Sequence, residues 1–191
     1  QVGVGVYVDS CRECGPCLAG MSNYCAKGMI GTYNVPERDG EGYTLGGYAS
    51  GIVVDHGYVV TVPESLDPAG AAPLLCAGIT LYSPLKEWGA GPGTKVGIIG
   101  LGGLGHMGVK FAKALGAHVT VFSHSASKKE DALAMGADDF IVTTDESVFD
   151  THKQQFDLII NTVSAPIDLN LYLELLGLDS TLVMVGLAPE P

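Results

Sequence analysis

Lys95-Val96-Gly97-Ile98-Ile99-Gly100-Leu101-Gly102-Gly103-Leu104-Gly105 is a short, β-rich apolar run that breaks directly into the pattern G-x-G-x-x-G. In that context the first glycine permits a tight turn. The second lets backbone amides approach a pyrophosphate, and the third lets the following helix pack closely on the strand. The helix predicted next carries Leu104, Met107, Phe111 and Leu115 at spacings of three and four, with Gly116 placed to end it. Its unpaired amides and the positive end of its dipole favour an anion at the N-terminus. His106 reads as an incidental first-turn residue.

Working outward, a second strand is expected at His118 to Phe122. A helix follows, opened by the capping-box pattern Ser127-x-x-Glu130 and closed near Gly136. Further strands are expected at Asp139 to Val142, Phe156 to Thr162 and Thr181 to Gly186, with a helix over Asp168 to Leu176 between the last two. Strands alternating with helices predict an α/β protein with a Rossmann-type, doubly wound parallel sheet. A sixth strand is expected beyond Pro191.

A preference for NAD usually places Asp or Glu at the end of the second strand, about 20 residues past the glycine motif. Ser123 stands there instead, in Ser123-His124-Ser125-Ala126-Ser127-Lys128-Lys129, where hydroxyls and two cations suit a 2′-phosphate. The missing acid points to NADPH. The alternative is a solvated helix start with surface lysines.

Upstream, Cys11-x2-Cys14-x2-Cys17-x7-Cys25 lets one loop wrap four thiolates around a tetrahedral ion. Four thiolates leave no place for water or substrate, so a zinc there holds the loop's shape and does no chemistry. Paired disulfides and an iron–sulfur centre are the other readings. Gly15 and Pro16 suit the sharp turn between ligands. The fifth cysteine, Cys76, lies in an apolar segment entering a helix after Pro73, and taken alone it reads as a small hydrophobe.

Composition sets the outer limits. The chain has 191 residues, 47% hydrophobic and 16% charged, enough for a sizeable core, and its formal charge of −11 argues against nucleic acid or an anionic membrane as partner. With no membrane span and no leader pattern, a cytoplasmic protein is expected. Val2 to Val8 reads as a strand already inside a sheet, so the chain is expected to begin mid-domain. The β-rich residues 1–70 form one expected domain and residues 71–191 the nucleotide-binding one.

With both motifs in order, the sequence resembles the zinc-dependent medium-chain alcohol dehydrogenases, and within them the cinnamyl alcohol dehydrogenase group. The marks are Val8-Asp9-Ser10-Cys11, the four-cysteine lobe, Thr44-Leu45-Gly46-Gly47-Tyr48, the run Ala71 to Leu85, Gly100 to Gly108, and Asn161-Thr162-Val163. The resemblance implies that residues 1–70 are part of a GroES-like catalytic domain. It assigns Cys11, Cys14, Cys17 and Cys25 to structural zinc and Cys76 to a catalytic zinc. NADP(H) contacts are implied for Thr80, Gly100, Leu101, Gly102, Gly103, Leu104, Gly105, Ser123, Ser125, Lys128, Thr162 and Gly186. With Cys76 and Thr80 on one helix, the Thr80 hydroxyl is expected one turn on, on the metal's side.

The implied activity is hydride transfer between NADPH and a small-molecule aldehyde or alcohol, cinnamyl-type or a broad range of primary alcohols, in a homodimeric parent protein. In the family another Cys and a His complete the catalytic zinc from a segment preceding the residues present. None of His56, His106, His118, His124 or His152 sits in a matching motif. This polypeptide alone is therefore expected to hold one zinc and to lack appreciable activity. A non-catalytic NADPH-binding or redox-sensing protein, and a zinc-ribbon interaction module fused to a nucleotide fold, are the alternatives.

Overall fold

A computed structural model describes residues 1–187. The chain divides into two compact units, Gln1–Cys76 and Ala77 onward.

The first unit is built from short antiparallel pairs. Strand β1 (Val2–Val4) pairs with β6 (Val59–Thr61), β2 (Tyr7–Asp9) with β3 (Ile30–Gly31), and β4 (Tyr33–Pro36) with β5 (Tyr43–Leu45). The single strand expected over Val2 to Val8 is thus two strands in two sheets. The break is at Gly5 and Val6, whose carbonyls turn to Thr32: its Oγ1 donates to Gly5 O at 2.6 Å and its N–H to Val6 O at 3.0 Å. Between β2 and β3 lies the cysteine segment with helix α1 (Gly15–Leu18), and near the unit's end is α2 (Pro68–Ala71), capped by Asp67.

The second unit opens with α3 (Ala77–Glu87) and holds one parallel sheet. Its strands are β7 (Lys95–Ile99), β8 (His118–Ser123), β9 (Asp139–Val142), β10 (Phe156–Asn161) and β11 (Leu176–Met184), in the order β11-β10-β7-β8-β9. The connecting helices are α4 (Gly103–Ala114), α5 (Lys129–Ala134), α6 (Ser147–Thr151) and α7 (Leu169–Leu173). This is the doubly wound sheet that the alternation of strands and helices predicts.

Both sheet faces are covered, which is why its strands are continuous apolar runs rather than alternating ones. Val96, Ile98, Val119, Val121, Leu158 and Ile160 pack on one face with Leu81 and Leu85 of α3 and Val109 and Ala112 of α4. Ile99, Phe122 and Ile159 face the other way, onto Phe149, Tyr172 and Leu175. A Cβ at Gly97 would lie 2.9 Å from the Phe122 ring, so the central strand carries glycine where its neighbour carries an aromatic.

Three local expectations change. Ser127 does not cap a helix: it lies inside a 3-10 turn (Ala126–Lys128) that precedes α5, and its hydroxyl is 2.9 Å from that of Ser125. Helix α7 stops at Leu173, because the chain must reach β11 in time to pair Leu176 with Phe156. Strand β11 then starts earlier than expected, bulges near Asp179 at φ 58°, and resumes pairing at Thr181. Among the described residues no helix is long and apolar enough to cross a membrane.

Candidate functional site

The cysteine segment is a chain of tight turns. Pro16 at the start of α1 gives up an amide that would have no partner in a first turn, and Leu18 N–H returns to Cys14 O at 2.9 Å. Cys25 ends a second turn, Ser22–Tyr24, and Gly28 N–H closes on its carbonyl at 2.9 Å. These turns bring Cys11, Cys14, Cys17 and Cys25 together with their sulfurs all within 4.8 Å of one another.

Cys11 Sγ and Cys17 Sγ stand 3.9 Å apart. A tetrahedral zinc with bonds of about 2.3 Å needs sulfurs about 3.8 Å apart, so the spacing fits an ion and exceeds a disulfide bond. The set is all-thiolate and turn-bound, and the residues present fit zinc.

Hydrogen bonds surround the sulfurs. Cys11 N–H points at Cys25 Sγ and Ala26 N–H at Cys14 Sγ, both at 3.4 Å. Cys17 Sγ lies 3.3 Å from Ser10 Oγ, and that hydroxyl first, then neighbouring thiols and the Arg12 amide, holds the Cys17 thiol down at about 6 against the opposing effect of burial.

Outside the sulfurs is a charged clasp. Arg12, in the left-handed region at φ 63°, donates to Asp9 and to Asp55, each at 2.8 Å, and its guanidinium carbon lies 5.4 Å from the Tyr58 ring centre. Arg38 Nε donates to the other Asp9 oxygen at 2.9 Å. Partial burial pushes the Asp9 carboxyl up, but Arg38, Arg12 and the Ser10 amide together hold it below the ordinary aspartate value of 3.8. A depressed carboxyl contributes stability above that ordinary value, and the contribution is lost as pH falls through the lower folded value. The stability difference between wild type and Asp9→Asn is therefore expected to be full at neutral pH and to shrink in acid, read by denaturant unfolding across pH. A difference that persists unchanged to about pH 2 would contradict this assignment.

In the second unit the glycine loop sits at the carboxyl ends of the strands. Gly100 is at φ 88°, and its N–H donates to Phe122 O at 2.8 Å, tying the loop to the end of β8. A Cβ at Gly105 would fall 2.3 Å from Gly100 O, so the helix and the loop are in backbone contact there. Gly102 and Gly103 are different: a Cβ on either meets nothing within 4 Å, and neither has positive φ. Packing does not require glycine at those two positions, whereas approach of a bulky anion to the amides does. Helix α4 begins at Gly103, so the open side of the loop is also a helix N-terminus. The loop therefore fits a dinucleotide pyrophosphate.

Of the residues expected at this site, Thr162 and Lys128 bond directly to the end of β7 and to the loop. Thr162 Oγ1 donates to Ile99 O at 2.7 Å, and Lys128 Nζ donates to Leu101 O at 3.1 Å. Gly186 N–H and Val185 N–H both donate to Asn161 O at 3.0 Å, and a Cβ on Gly186 would lie 2.1 Å from Val163 O. Ser123 ends β8 but is buried, its Oγ accepting from Ser125 N–H at 3.2 Å, so the hydroxyls turned outward are those of Ser125 and Ser127.

Two expectations are revised. Cys76 is exposed and lies outside the helix, at φ −127°, ψ −78°, while α3 starts at Ala77. Helix periodicity therefore does not set the relation of Thr80 to Cys76, because Pro73 opens a 3-10 turn (Ala72–Leu75) that ends at the cysteine. His106 bonds within its own turn, its Nδ1 donating to Gly102 O at 2.6 Å. Its position four residues after Gly102, in a helix's first turn, is the signal that could have found it. The clasp residues Arg12, Asp55 and Tyr58 carry no such local signal.

A glycine-rich first crossover in a doubly wound sheet stands on the same chain as a four-thiolate lobe, the two features on which the resemblance to zinc-dependent alcohol dehydrogenases rests. Residues 103–191 match the family described as zinc-binding dehydrogenase. The whole chain is 58% identical to NADP-dependent alcohol dehydrogenase C 1 of Mycolicibacterium smegmatis and spans 55% of that protein's length. A cinnamyl alcohol dehydrogenase from Sorghum bicolor superposes with a TM-score of 0.95 at 46% identity, over 100% of this chain and 54% of that one. A CAD from Helicobacter pylori complexed with NADP(H) superposes with a TM-score of 0.90 at 45% identity, over 98% of this chain and 53% of that one. The zinc-binding dehydrogenase match thus lies within residues 103–191, and the chain spans about half the length of these relatives.

Proposed function

We propose that this chain supplies the structural zinc lobe and the cofactor-binding sheet of an NADPH-dependent alcohol dehydrogenase or aldehyde reductase. The observation that carries the reading is the glycine loop: open at Gly102 and Gly103, opening a helix, and bordered by Lys128, with Ser123 at the end of β8 where an NAD-preferring site would hold an acid. When bound, NADPH would supply a hydride, and a catalytic zinc of the whole protein, for which Cys76 would be one ligand, would supply Lewis-acid polarisation of an alcohol or aldehyde oxygen.

This chain's own residues bind and orient. The amides at the start of α4 take the pyrophosphate, Thr162 fixes the loop's shape, and Lys128 is the cation beside the adenosine 2′-phosphate. Ser125 offers a hydroxyl to the same phosphate. Thr80, in the first turn of α3, and Gly186, whose lack of a side chain permits the close backbone approach to Val163, belong to the nicotinamide side. Cys11, Cys14, Cys17 and Cys25 hold the structural zinc and take no part in turnover. Cys76 is one ligand of the catalytic zinc.

The first unit is, on this reading, part of a GroES-like catalytic domain, and the whole protein is a cytoplasmic homodimer that binds neither nucleic acid nor membrane.

Titration with the two cofactors tests the nucleotide assignment. NADPH is expected to bind at least about tenfold tighter than NADH, a difference of about 1.4 kcal/mol. Lys128→Met is expected to remove most of that difference by weakening NADPH more than NADH. Equal affinities in the wild type would overturn the preference for the phosphorylated cofactor.

A further inference from the structure

Backbone amides reach the sulfurs of the cysteine lobe, with Cys11 N–H 3.4 Å from Cys25 Sγ and Ala26 N–H 3.4 Å from Cys14 Sγ. A side-chain hydroxyl reaches Cys17 as well. Ser10, 2% exposed, sits with its Oγ 3.3 Å from Cys17 Sγ and 2.8 Å from the Tyr58 hydroxyl, 48 residues away in sequence. Tyr58 is itself held on three sides. Arg12 stacks over its ring, Tyr7 meets it edge-on with ring centres 5.6 Å apart, and the turn His56–Tyr58 is capped by Asp55, whose Oδ1 accepts Gly57 N–H at 2.8 Å.

We propose that Ser10, oriented by Tyr58, is a positioning residue for the metal: it donates a hydrogen bond to the Cys17 sulfur of the loaded lobe and thereby slows metal loss. The inference rests on the reading that the four cysteines hold zinc. A zinc-bound sulfur carries no proton and only accepts, so the serine hydroxyl must then donate to it, and the serine oxygen takes its own hydrogen bond from the tyrosine. Where the Cys17 thiol keeps its proton the chain runs in the opposite sense, with the thiol donating to Ser10 and Ser10 to Tyr58. Each hydroxyl keeps one proton in both arrangements.

Partners in this outer position orient the metal ligands and set their basicity, and losing one costs about 10- to 100-fold in metal affinity. The Tyr58 ring also bears the Arg12 clasp. A Tyr58→Phe substitution removes the hydroxyl and leaves that stacking in place, which separates the hydrogen-bond chain from the packing.

The test uses the zinc-loaded full chain. Its zinc content is measured first, and release to a chromogenic chelator is then followed in time. Ser10→Ala is expected to release zinc about 10- to 100-fold faster than wild type. Tyr58→Phe should accelerate release by less, and Ser10→Thr, which keeps the hydroxyl, should stay near the wild-type rate. Cobalt-substituted protein gives a second reading. A hydrogen bond to sulfur lowers its lone-pair energy, so the sulfur-to-cobalt charge-transfer band should move to longer wavelength in Ser10→Ala and Tyr58→Phe and stay in place in Ser10→Thr.

Wild-type release rates in both hydroxyl-deleting variants would overturn the proposal, as would faster release with an unmoved band, since that pattern means loosened packing alone. If Ser10→Ala does not fold, Tyr58→Phe carries both readouts. A wild-type protein without stoichiometric zinc in the lobe would instead overturn the metal reading itself, which separates the two failures.

Discussion

Cys25→Ser is expected to strip the zinc from the lobe and, with it, the ordered structure of residues 11–29. The reason lies in how little else holds that segment. Of residues 11–29 only Cys25 is buried, and its helix and its 3-10 turn contain no other buried residue. A segment without an apolar core depends on its metal for folding free energy, of the order of 10–16 kcal/mol in apparent terms for structural zinc in small peptides. Removing one thiolate leaves three ligands and an open position, which water fills poorly by comparison. Zinc content should fall well below one per chain, and limited proteolysis should open at Arg12 and Lys27 while the parallel sheet stays resistant. Full zinc retention with unchanged cleavage would refute this account of the lobe.

The second large effect is a contrast between two glycines three residues apart. Gly105→Ala places a Cβ 2.3 Å from Gly100 O, a backbone atom that cannot swing away, so helix α4 must move off the sheet. Overpacking of this kind costs about 1–3 kcal/mol. The stability loss should be visible in denaturant unfolding without any cofactor present. Gly102→Val places its side chain in open space at an ordinary φ of −105°, so the apo protein should keep nearly all its stability. Its branched side chain would stand where the pyrophosphate must approach the amides. NADPH affinity is expected to fall by at least about tenfold, or 1.4 kcal/mol. Loss of stability in Gly102→Val with unaltered NADPH affinity would overturn the assignment of the open side of the loop to the cofactor.

Features that depend on residues close to one another along the chain are legible in the sequence itself. The Lys95–Gly105 run, the cysteine spacing and the alternation of apolar strands with helical stripes each report a local geometry, and the sheet and the sulfur cluster follow them. Departures arise where a distant partner decides. Ser127 has a capping-box neighbour, yet the turn after β8 takes up its residue before α5 can begin. Val2 to Val8 keeps one periodicity while Thr32, far along the chain, draws it into two sheets. Ser10 and Arg12 look like spacers between landmarks. Their roles come from Tyr58 and Asp55, more than forty residues downstream, and no local pattern announces such a pairing.

The strand order β11-β10-β7-β8-β9 has a consequence for the order of events during synthesis. The first strand of this sheet to be made, β7, ends up at its centre, and its second neighbour pairs through Leu158 with Val96, roughly 60 residues later. While the ribosome works through that interval, Ile98 and Val96 have β8 on one side and an open edge on the other. Pairing with β8 alone satisfies half of the central strand's backbone groups, so the nascent chain carries an open apolar strand edge until β10 emerges. At about 5–20 residues per second, that exposure lasts some seconds.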